Sequence, residues 1–474
     1  MTPFDAPLWI VLAYLFIVGA VLGSFLNVCI HRIPWHERFV DQLRSLGSPL
    51  HSVCPGCGSR IPRRDNVPIL GWLMLRGRCR FCRMRISPRY PLVELLNGLL
   101  FVLVYWVEVP GGYSATVQDS GTFAALGPQI TGGLSPAAWL NWRYVYHMVL
   151  FEALVVATFI DFEHMTIPDG CTLPAMAVGV IGGFALGQVF LVPVWFQEPE
   201  IARMLSAWTP DWLNRASGPM VVPQVEWRED FMGRVARLEI PDWVRTAPHR
   251  HGLAVSLAGL VIGGGVVWAL RIVGQLVLKR EAMGFGDVVL MATIGSFLGW
   301  QPTLTVFFVA PVCALGVLAV QQIGWRLACI IRPMLRRDAV SRSGADGGRR
   351  EIPYGPYLSL AALLTVLGWK HIWPVAQWWF AFGPIVLVAF VAFPVAMFAS
   401  LTLFQAARRL LGIPLTDEPR DTLVIEEWTP ADQLIYLQGE NVDRLRGRWK
   451  PQHDWPGTAA ARGTSQVERW KNGP

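Results

Sequence analysis

Charged residues are scarce in this 474-residue chain, and their scarcity argues against an ordinary soluble enzyme. Only 16% of the residues are charged, whereas 53% are hydrophobic, and the mean hydropathy is +0.38. Long apolar runs recur along the sequence, and several reach the length that a bilayer-crossing helix needs. The composition therefore predicts an all-α polytopic membrane protein with about eight or nine transmembrane helices.

The N-terminus lacks the features of a cleaved signal peptide. No Lys or Arg precedes the first apolar run, and no cleavage site of small residues follows it. We therefore expect residues 1–30 to form an uncleaved first transmembrane span.

Basic residues are concentrated in particular loops, which predicts the orientation of the chain. Residues 31–90 contain twelve Arg and three acidic residues, a net charge of 12 − 3 = +9. Because cytoplasmic loops carry an excess of Arg and Lys, we place this loop in the cytoplasm. The other predicted segments are transmembrane spans over 91–196, an extracytoplasmic insertion over 197–251, spans over 252–372, an additional span over 373–405 and a cytoplasmic tail over 406–474.

Two carboxylates are predicted to lie at the same membrane face. Asp161 follows the apolar run of the third predicted span, at about residues 144–160. Asp287 precedes the apolar run of the sixth predicted span and belongs to the motif Gly284-Phe285-Gly286-Asp287. Counted from the cytoplasmic loop, the third span enters the cytoplasm and the sixth leaves it. An ionised carboxylate at such a place is costly unless it is hydrated, paired or functional. Since the two glycines carry no side chain, water or another backbone could approach Asp287 closely.

A pair of carboxyl groups suits acid–base chemistry. Two neighbouring carboxyls cannot both ionise easily, so the pair shares a proton. The ionised member can take a proton from water while the protonated member polarises a peptide carbonyl. We predict that Asp161 and Asp287 are such a catalytic dyad; the alternative is two interfacial acids that stabilise helix ends. Glu163 and Asp169 lie in the polar turn after Asp161, where we expect them to be hydrated.

Four of the eight cysteines form two close pairs in the basic loop. The array is CxxC–x21–CxxC, and its members are Cys54, Cys57, Cys79 and Cys82. Two tight pairs of thiolates suit a closed tetrahedral zinc site, and disulfides are not expected in a cytoplasmic loop. Bound zinc would fold a loop that has too little apolar content for its own core. Free thiols or a redox pair are the alternatives.

Glu94 is unusual because it lies just inside the second predicted span. It is near the same cytoplasmic boundary as the predicted dyad. Two roles are open for it: an ion pair with an arginine of the loop, or a place in the lining of the site. His31 and His164 lie near the same face, where we expect interfacial polar residues and not catalytic bases.

Six blocks in a fixed order resemble the bacterial type IV prepilin peptidases, membrane aspartic proteases with a GxGD signature. The blocks are residues 23–34, 65–72, 78–96, 160–169, 283–287 and 352–357. The resemblance covers most of residues 8–370 outside the loops at 110–143 and 197–250. Six ordered blocks are far more specific than any one of them.

The resemblance implies a function and a set of partners. It implies cleavage, after a glycine, of the basic leader of a prepilin or of a type II secretion pseudopilin. The reaction would take place at the cytoplasmic face of the inner membrane, with Asp161 and Asp287 as the catalytic pair and structural zinc on the four cysteines. Many members also N-methylate the new N-terminus with S-adenosylmethionine. Membrane lipid and, through the tail, pilus or secretion machinery are further expected partners; nucleic acid is not.

The chain also departs from the family pattern. Val289 stands where the family commonly has Lys, and Glu163 stands where it often has Asp. Since a basic leader and a basic loop repel, leader recognition would use Glu94, Glu163 or lipid. Two other classes stay open: a transporter or channel whose intramembrane carboxylates carry ions, and a non-catalytic scaffold for pilus assembly.

Overall fold

The computed structural model describes most of the membrane part of the chain. The described residues are 7–47, 52–54, 57–109, 136–187, 189–194, 220–221, 240–241, 246–278, 283–335, 353–380 and 384–410. The chain divides into two units, residues 1–398 and residues 399–474. Most of the predicted insertion (197–251) and tail (406–474) therefore lies outside the described residues.

The described chain is helical apart from two strands of two residues each. Met220–Val221 (β1) pairs antiparallel with Ile240–Pro241 (β2). The helices are α1 Leu8–Arg32, α2 Phe39–Gly47, α3 Leu70–Met74, α4 Arg89–Glu108, α5 Pro136–His164, α6 Asp169–Leu186, α7 Pro248–Leu278, α8 Phe285–Leu298, α9 Trp300–Leu335, α10 Gly355–Phe380 and α11 Pro384–Leu410.

Six of the described helices are long and apolar enough to cross a membrane. They are Leu8–Trp35, Arg89–Glu108, Ala138–His164, Asp169–Leu186, Pro248–Val277 and Trp300–Ile323. This confirms the predicted class, a helical multi-pass membrane protein, while the number of eight or nine spans stays a prediction. Helix α6 begins at Asp169 and ends before Gly187, whose φ of +76° favours glycine.

Helix α8 is short and is enclosed by its neighbours. Its 14 residues span about 21 Å, less than the roughly 30 Å of a hydrocarbon core. Glycines bring α7 against it: a Cβ on Gly259 would lie 2.0 Å from the carbonyl oxygen of Gly295, and one on Gly263 would lie 2.5 Å from that of Met291. Small residues allow such close approach between membrane helices. Asp287 is thus carried by a helix whose position is fixed by backbone contact.

Helices α1 and α4 form a second close pair. A Cβ on Gly19 would lie 2.9 Å from the carbonyl oxygen of Asn97, and the Asn97 side-chain amide donates to the carbonyl oxygen of Gly19 at 2.9 Å. Nearer the loop, the buried Asn27 side chain donates to the carbonyl oxygen of Tyr90 at 3.0 Å. The first bond joins the middles of the two helices, and the second joins them near the ends from which residues 33–88 emerge.

A buried contact between a Glu and a His side chain joins α4 and α5 at the other end of the bundle. The Glu108 carboxylate lies 2.5 Å from Nδ1 of His147, and both side chains are fully buried. His147 precedes Asp161 by 14 residues, about 21 Å along α5. The pair is therefore remote from the predicted dyad and contributes to joining the two helices.

Candidate active site

Asp161 lies in the last turn of α5, and its side chain is only 6% exposed. The backbone N–H of Gly355, the first residue of α10, donates to its Oδ2 at 3.1 Å. The N-terminal end of α10 thus faces the carboxylate, and helix N-termini favour negative charge. This contact positions the carboxylate from a helix 194 residues further along the chain.

Asp287 is the third residue of α8 and is likewise buried, at 8% exposure. Its carboxyl is close enough to that of Asp161 for the two to interact electrostatically. Ile167, in the turn after α5, packs against Gly286, the neighbour of Asp287, and against Gly355, which binds Asp161. The structure therefore brings together the two carboxyl groups that span counting placed at one face.

The two glycines beside Asp287 have different roles. Gly284 is exposed, and among the described residues an added Cβ there would make only ordinary contact, with Oδ2 of Asp287 at 3.8 Å. At Gly286 an added Cβ would come 2.9 Å from the Cβ of Ile167. Gly284 thus fits the expectation of room beside the carboxylate, whereas Gly286 serves close packing against the turn that carries Asp161.

The segment around Tyr354 is part of the site, although reasoning from the residues did not assign it a role. Gly355 binds Asp161, and Tyr354 is close enough to Asp287 to interact with it electrostatically. Burial raises the pKa of Tyr354 to about 12, so its hydroxyl stays protonated and can donate a hydrogen bond. A glycine between two prolines, Pro353 and Pro356, at a helix start was the available sequence signal.

Replacing Gly355 by Ala is expected to impair the site. The added Cβ would lie 2.7 Å from Oδ2 of Asp161 and 3.0 Å from Cδ1 of Ile167, so the carboxylate must move. A misplacement of about 1 Å can cost ~100-fold in rate, and we expect a loss of that order in the peptidase activity that the sequence resemblance predicts. Gly368→Ala in the same helix is the control, because its Cβ would make ordinary contact with Ile372 at 3.5 Å. Equal cleavage rates in the two variants would contradict this role of Gly355.

The other residues of the turn lie beside the pair. Glu163 is 40% exposed and forms an ion pair with Arg89 at the start of α4. His164 lies 4.0 Å from Glu163 and meets the ring of Trp35 edge-on. Asp169 is exposed at the start of α6, as expected for a hydrated acid.

Glu94 makes a contact that neither of its two predicted roles included. Its side chain is buried, and its Oε2 accepts the backbone N–H of Ile69 at 2.6 Å. Ile69 is the centre of a tight turn in which the N–H of Leu70 donates to the carbonyl oxygen of Pro68 at 2.6 Å. Its φ of +61° is rare for a β-branched residue. Glu94 therefore anchors a strained point of the loop to α4.

Two substitutions of Glu94 separate this anchoring role from binding of a basic leader. The side-chain oxygen of Glu94→Gln can still accept the Ile69 N–H, whereas Glu94→Ala leaves a donor without its partner, at a cost of about 1–3 kcal/mol. We expect Ala to lower the thermal stability of the purified protein and to expose the loop to protease, with Gln close to wild type. If the carboxylate binds the leader through its charge, Gln will lose cleavage as fully as Ala.

The four paired cysteines come together as the spacing predicts. Their sulfur atoms all lie within 4.8 Å of one another, and those of Cys54 and Cys82 are 3.7 Å apart. A tetrahedral site with Zn–S bonds of about 2.3 Å separates its sulfurs by about 3.8 Å. The donor set and its spacing therefore fit a zinc ion, and the cluster could hold a metal of that kind.

The four-cysteine lobe, residues 52–88 without 55–56, is braced by an ion pair outside the cluster. Arg80 donates to both oxygens of Asp65, at 2.6 and 2.5 Å. These hydrogen bonds hold the pKa of Asp65 below its usual range. The Trp72 indole N–H donates to the carbonyl oxygen of Ile86 at 3.1 Å. The two halves of the lobe are thus joined by polar contacts and the cysteines, with few buried apolar side chains.

Fold and site together define a helical multi-pass membrane protein with a buried carboxylate pair and a four-cysteine lobe. Two family models match it: the bacterial peptidase A24 N-terminal domain over residues 17–108 and the type IV leader peptidase family over residues 246–319. The first contains the four cysteines and the second contains Asp287. The predicted resemblance to the type IV prepilin peptidases is confirmed, and with it the prediction that the chain is an enzyme.

Characterised relatives extend the similarity to most of the chain. The prepilin leader peptidase/N-methyltransferase of Aeromonas salmonicida is 28% identical over 377 residues, which cover 76% of this chain and 91% of the relative. The type 4 prepilin-like proteins leader peptide-processing enzyme of Escherichia coli is 26% identical over 358 residues, which cover 73% of this chain and 90% of the relative. The prepilin leader peptidase/N-methyltransferase of Myxococcus xanthus is 30% identical over 299 residues, which cover 63% of this chain and 59% of the relative. No solved structure matches the chain.

Proposed function

We propose that this chain cleaves the basic leader of type IV prepilins or type II secretion pseudopilins at the cytoplasmic face of the inner membrane. The observation that carries the proposal is the convergence of Asp161 and Asp287, two buried carboxyls from the ends of α5 and α8. The relatives are named as enzymes that process prepilins or prepilin-like proteins, and these names support prepilins as the substrate class.

The proposed reaction uses water and the two carboxyl groups. The ionised aspartate takes a proton from a water, whose oxygen attacks the carbonyl carbon of the scissile peptide. The protonated aspartate gives its proton to the carbonyl oxygen, which produces a neutral gem-diol. As the C–N bond breaks, the amine takes the proton held by the first aspartate. The gem-diol then loses a hydroxyl proton to the second, so the pair regains one shared proton.

The surroundings of the pair suit a substrate that is itself a membrane helix. Gly284 is exposed and lies beside Asp287, so an extended backbone could pass the carboxyl there. Asp287 lies in the first turn of α8, two residues after the exposed Phe285, and we infer that a substrate reaches it from that end of the helix. The Tyr354 hydroxyl is a further donor for a substrate carbonyl.

The four cysteines would hold a structural zinc ion. Four thiolates complete a tetrahedral site and leave no position for water or substrate, so the metal would stabilise the lobe without taking part in the chemistry. N-methylation of the new N-terminus is proposed from the names of the relatives. S-adenosylmethionine would supply the methyl group, and we assign no residue to it.

A cleavage assay on the full chain in lipid nanodiscs tests the function. We expect a co-reconstituted prepilin to lose its leader after the glycine, with a mass increase of one methyl group only when S-adenosylmethionine is added. A prepilin that stays intact with the wild-type protein would instead favour a transporter or an assembly scaffold.

A further inference from the structure

Helix α3 exposes an apolar face that the proposed chemistry does not use. Leu70, Leu73 and Met74 are 57%, 55% and 74% exposed. Their spacing, i, i+3 and i+4, puts them on one face of the helix. Trp72, by contrast, is half-buried and bonds to the carbonyl oxygen of Ile86 inside the lobe. An exposed cluster of large apolar side chains marks a surface that binds something apolar.

The start of α3 lies at the depth of the first turns of α4. The Ile69 N–H, one residue before α3, bonds to Glu94, which lies five residues or about 7.5 Å inside α4. At that level α4 itself presents exposed leucines, Leu92 and Leu95, to its surroundings. The apolar face of α3 therefore sits at the level where the apolar surface of a membrane-crossing helix begins.

Arginines and further apolar residues lie close to α3 in the sequence. Arg76 and Arg78 follow α3 directly and are exposed. In the second cysteine pair, Phe81 is 58% exposed and the neighbouring Arg83 is exposed as well. Apolar residues together with arginines are the composition of segments that lie in the interface of an anionic membrane.

We propose that α3 is an interfacial anchor whose apolar face lies among the lipids of the leaflet on the lobe side, with Arg76 and Arg78 on anionic headgroup phosphates. The anchor and the Glu94 bond together hold the four-cysteine lobe at the membrane. The positive charges of Arg76 and Arg78 favour anionic lipid over a basic leader, which these arginines would repel. Three side chains also offer far less than the roughly 800 Å² per partner of a stable dimer.

Photo-crosslinking of the full chain identifies what covers α3. A benzoylphenylalanine at position 73 is compared with one at position 72, which faces the lobe interior, in nanodiscs containing phosphatidylglycerol and co-reconstituted prepilin. We expect lipid adducts at position 73 and none at position 72. Adducts to prepilin, adducts to a second copy of the chain, or equal lipid labelling at both positions would overturn the proposal.

Lipid composition tests the arginines. In equimolar phosphatidylglycerol and phosphatidylcholine we expect adducts at position 73 to favour phosphatidylglycerol. Each arginine near an anionic surface contributes about fivefold, so Arg76→Gln with Arg78→Gln should remove most of that preference. Arg44→Gln, an exposed arginine on α2, is the control. An unchanged preference in the double variant, with the zinc content of wild type, would refute the role of these arginines. Both readouts measure lipid contact and are independent of leader cleavage.

Discussion

Asp161→Asn and Asp287→Asn are each expected to abolish leader cleavage, lowering the rate by about 10²- to 10⁴-fold or more. An amide can neither take the proton from water nor donate an acidic proton to the carbonyl oxygen, and each step needs one of the two. Asn keeps the shape of Asp, and at position 161 its side-chain oxygen can still accept the Gly355 N–H. The measurement is the rate of prepilin processing by purified protein in nanodiscs.

Asp169→Asn is the matched control for both variants. Asp169 lies eight residues after Asp161, at the start of α6, and its side chain is exposed. Its replacement should leave cleavage within a few-fold of wild type, because a helix-end charge contributes only about 0.3–1 kcal/mol to stability. Persistent cleavage by either Asn variant of the pair, at a rate near that of the control, would refute the dyad.

Removing the metal site is expected to unfold the lobe. Cys54 and Cys79 are the buried members of the cluster, and Cys79→Ser would leave three of the four thiolates. Zinc binding supplies about 10–16 kcal/mol to small zinc-finger peptides, and this lobe has little apolar core to replace it. We expect Cys79→Ser to lose the bound zinc, measured by elemental mass spectrometry, and to become sensitive to trypsin between residues 60 and 89.

We expect leader cleavage to decrease when the lobe unfolds. Arg89, at the end of the lobe, pairs with Glu163, two residues from Asp161, so unfolding would release a contact next to the site. Cys313→Ser is the control, since that free cysteine lies in α9 outside the cluster. A lobe that stays resistant to trypsin after chelation would exclude structural zinc. A mobility shift under oxidant, reversed by thiol, would support the redox pair.

The fold class and the four-cysteine cluster were predictable because their signals are local or nearly so. Runs of apolar residues report helix length directly, and the CxxC spacing reports a turn that brings two sulfurs together. Arginine excess in residues 31–90 oriented the first span, and counting spans from there placed Asp161 and Asp287 at one face. None of these steps needed the distance between two helices.

The contacts that position the site could not be predicted in this way. Gly355 donates its backbone N–H to Asp161 across 194 residues, and Glu94 accepts the N–H of Ile69 in the same manner. Every non-proline residue carries that donor, so the two prolines around Gly355 could mark a helix start but could not indicate Asp161 as its partner. Gly286 looked like room for a substrate, yet its missing side chain is needed for contact with Ile167. The sequence by itself determined which groups could do the chemistry, whereas the packing of α8 and α10 against the turn after α5 decided how they are held.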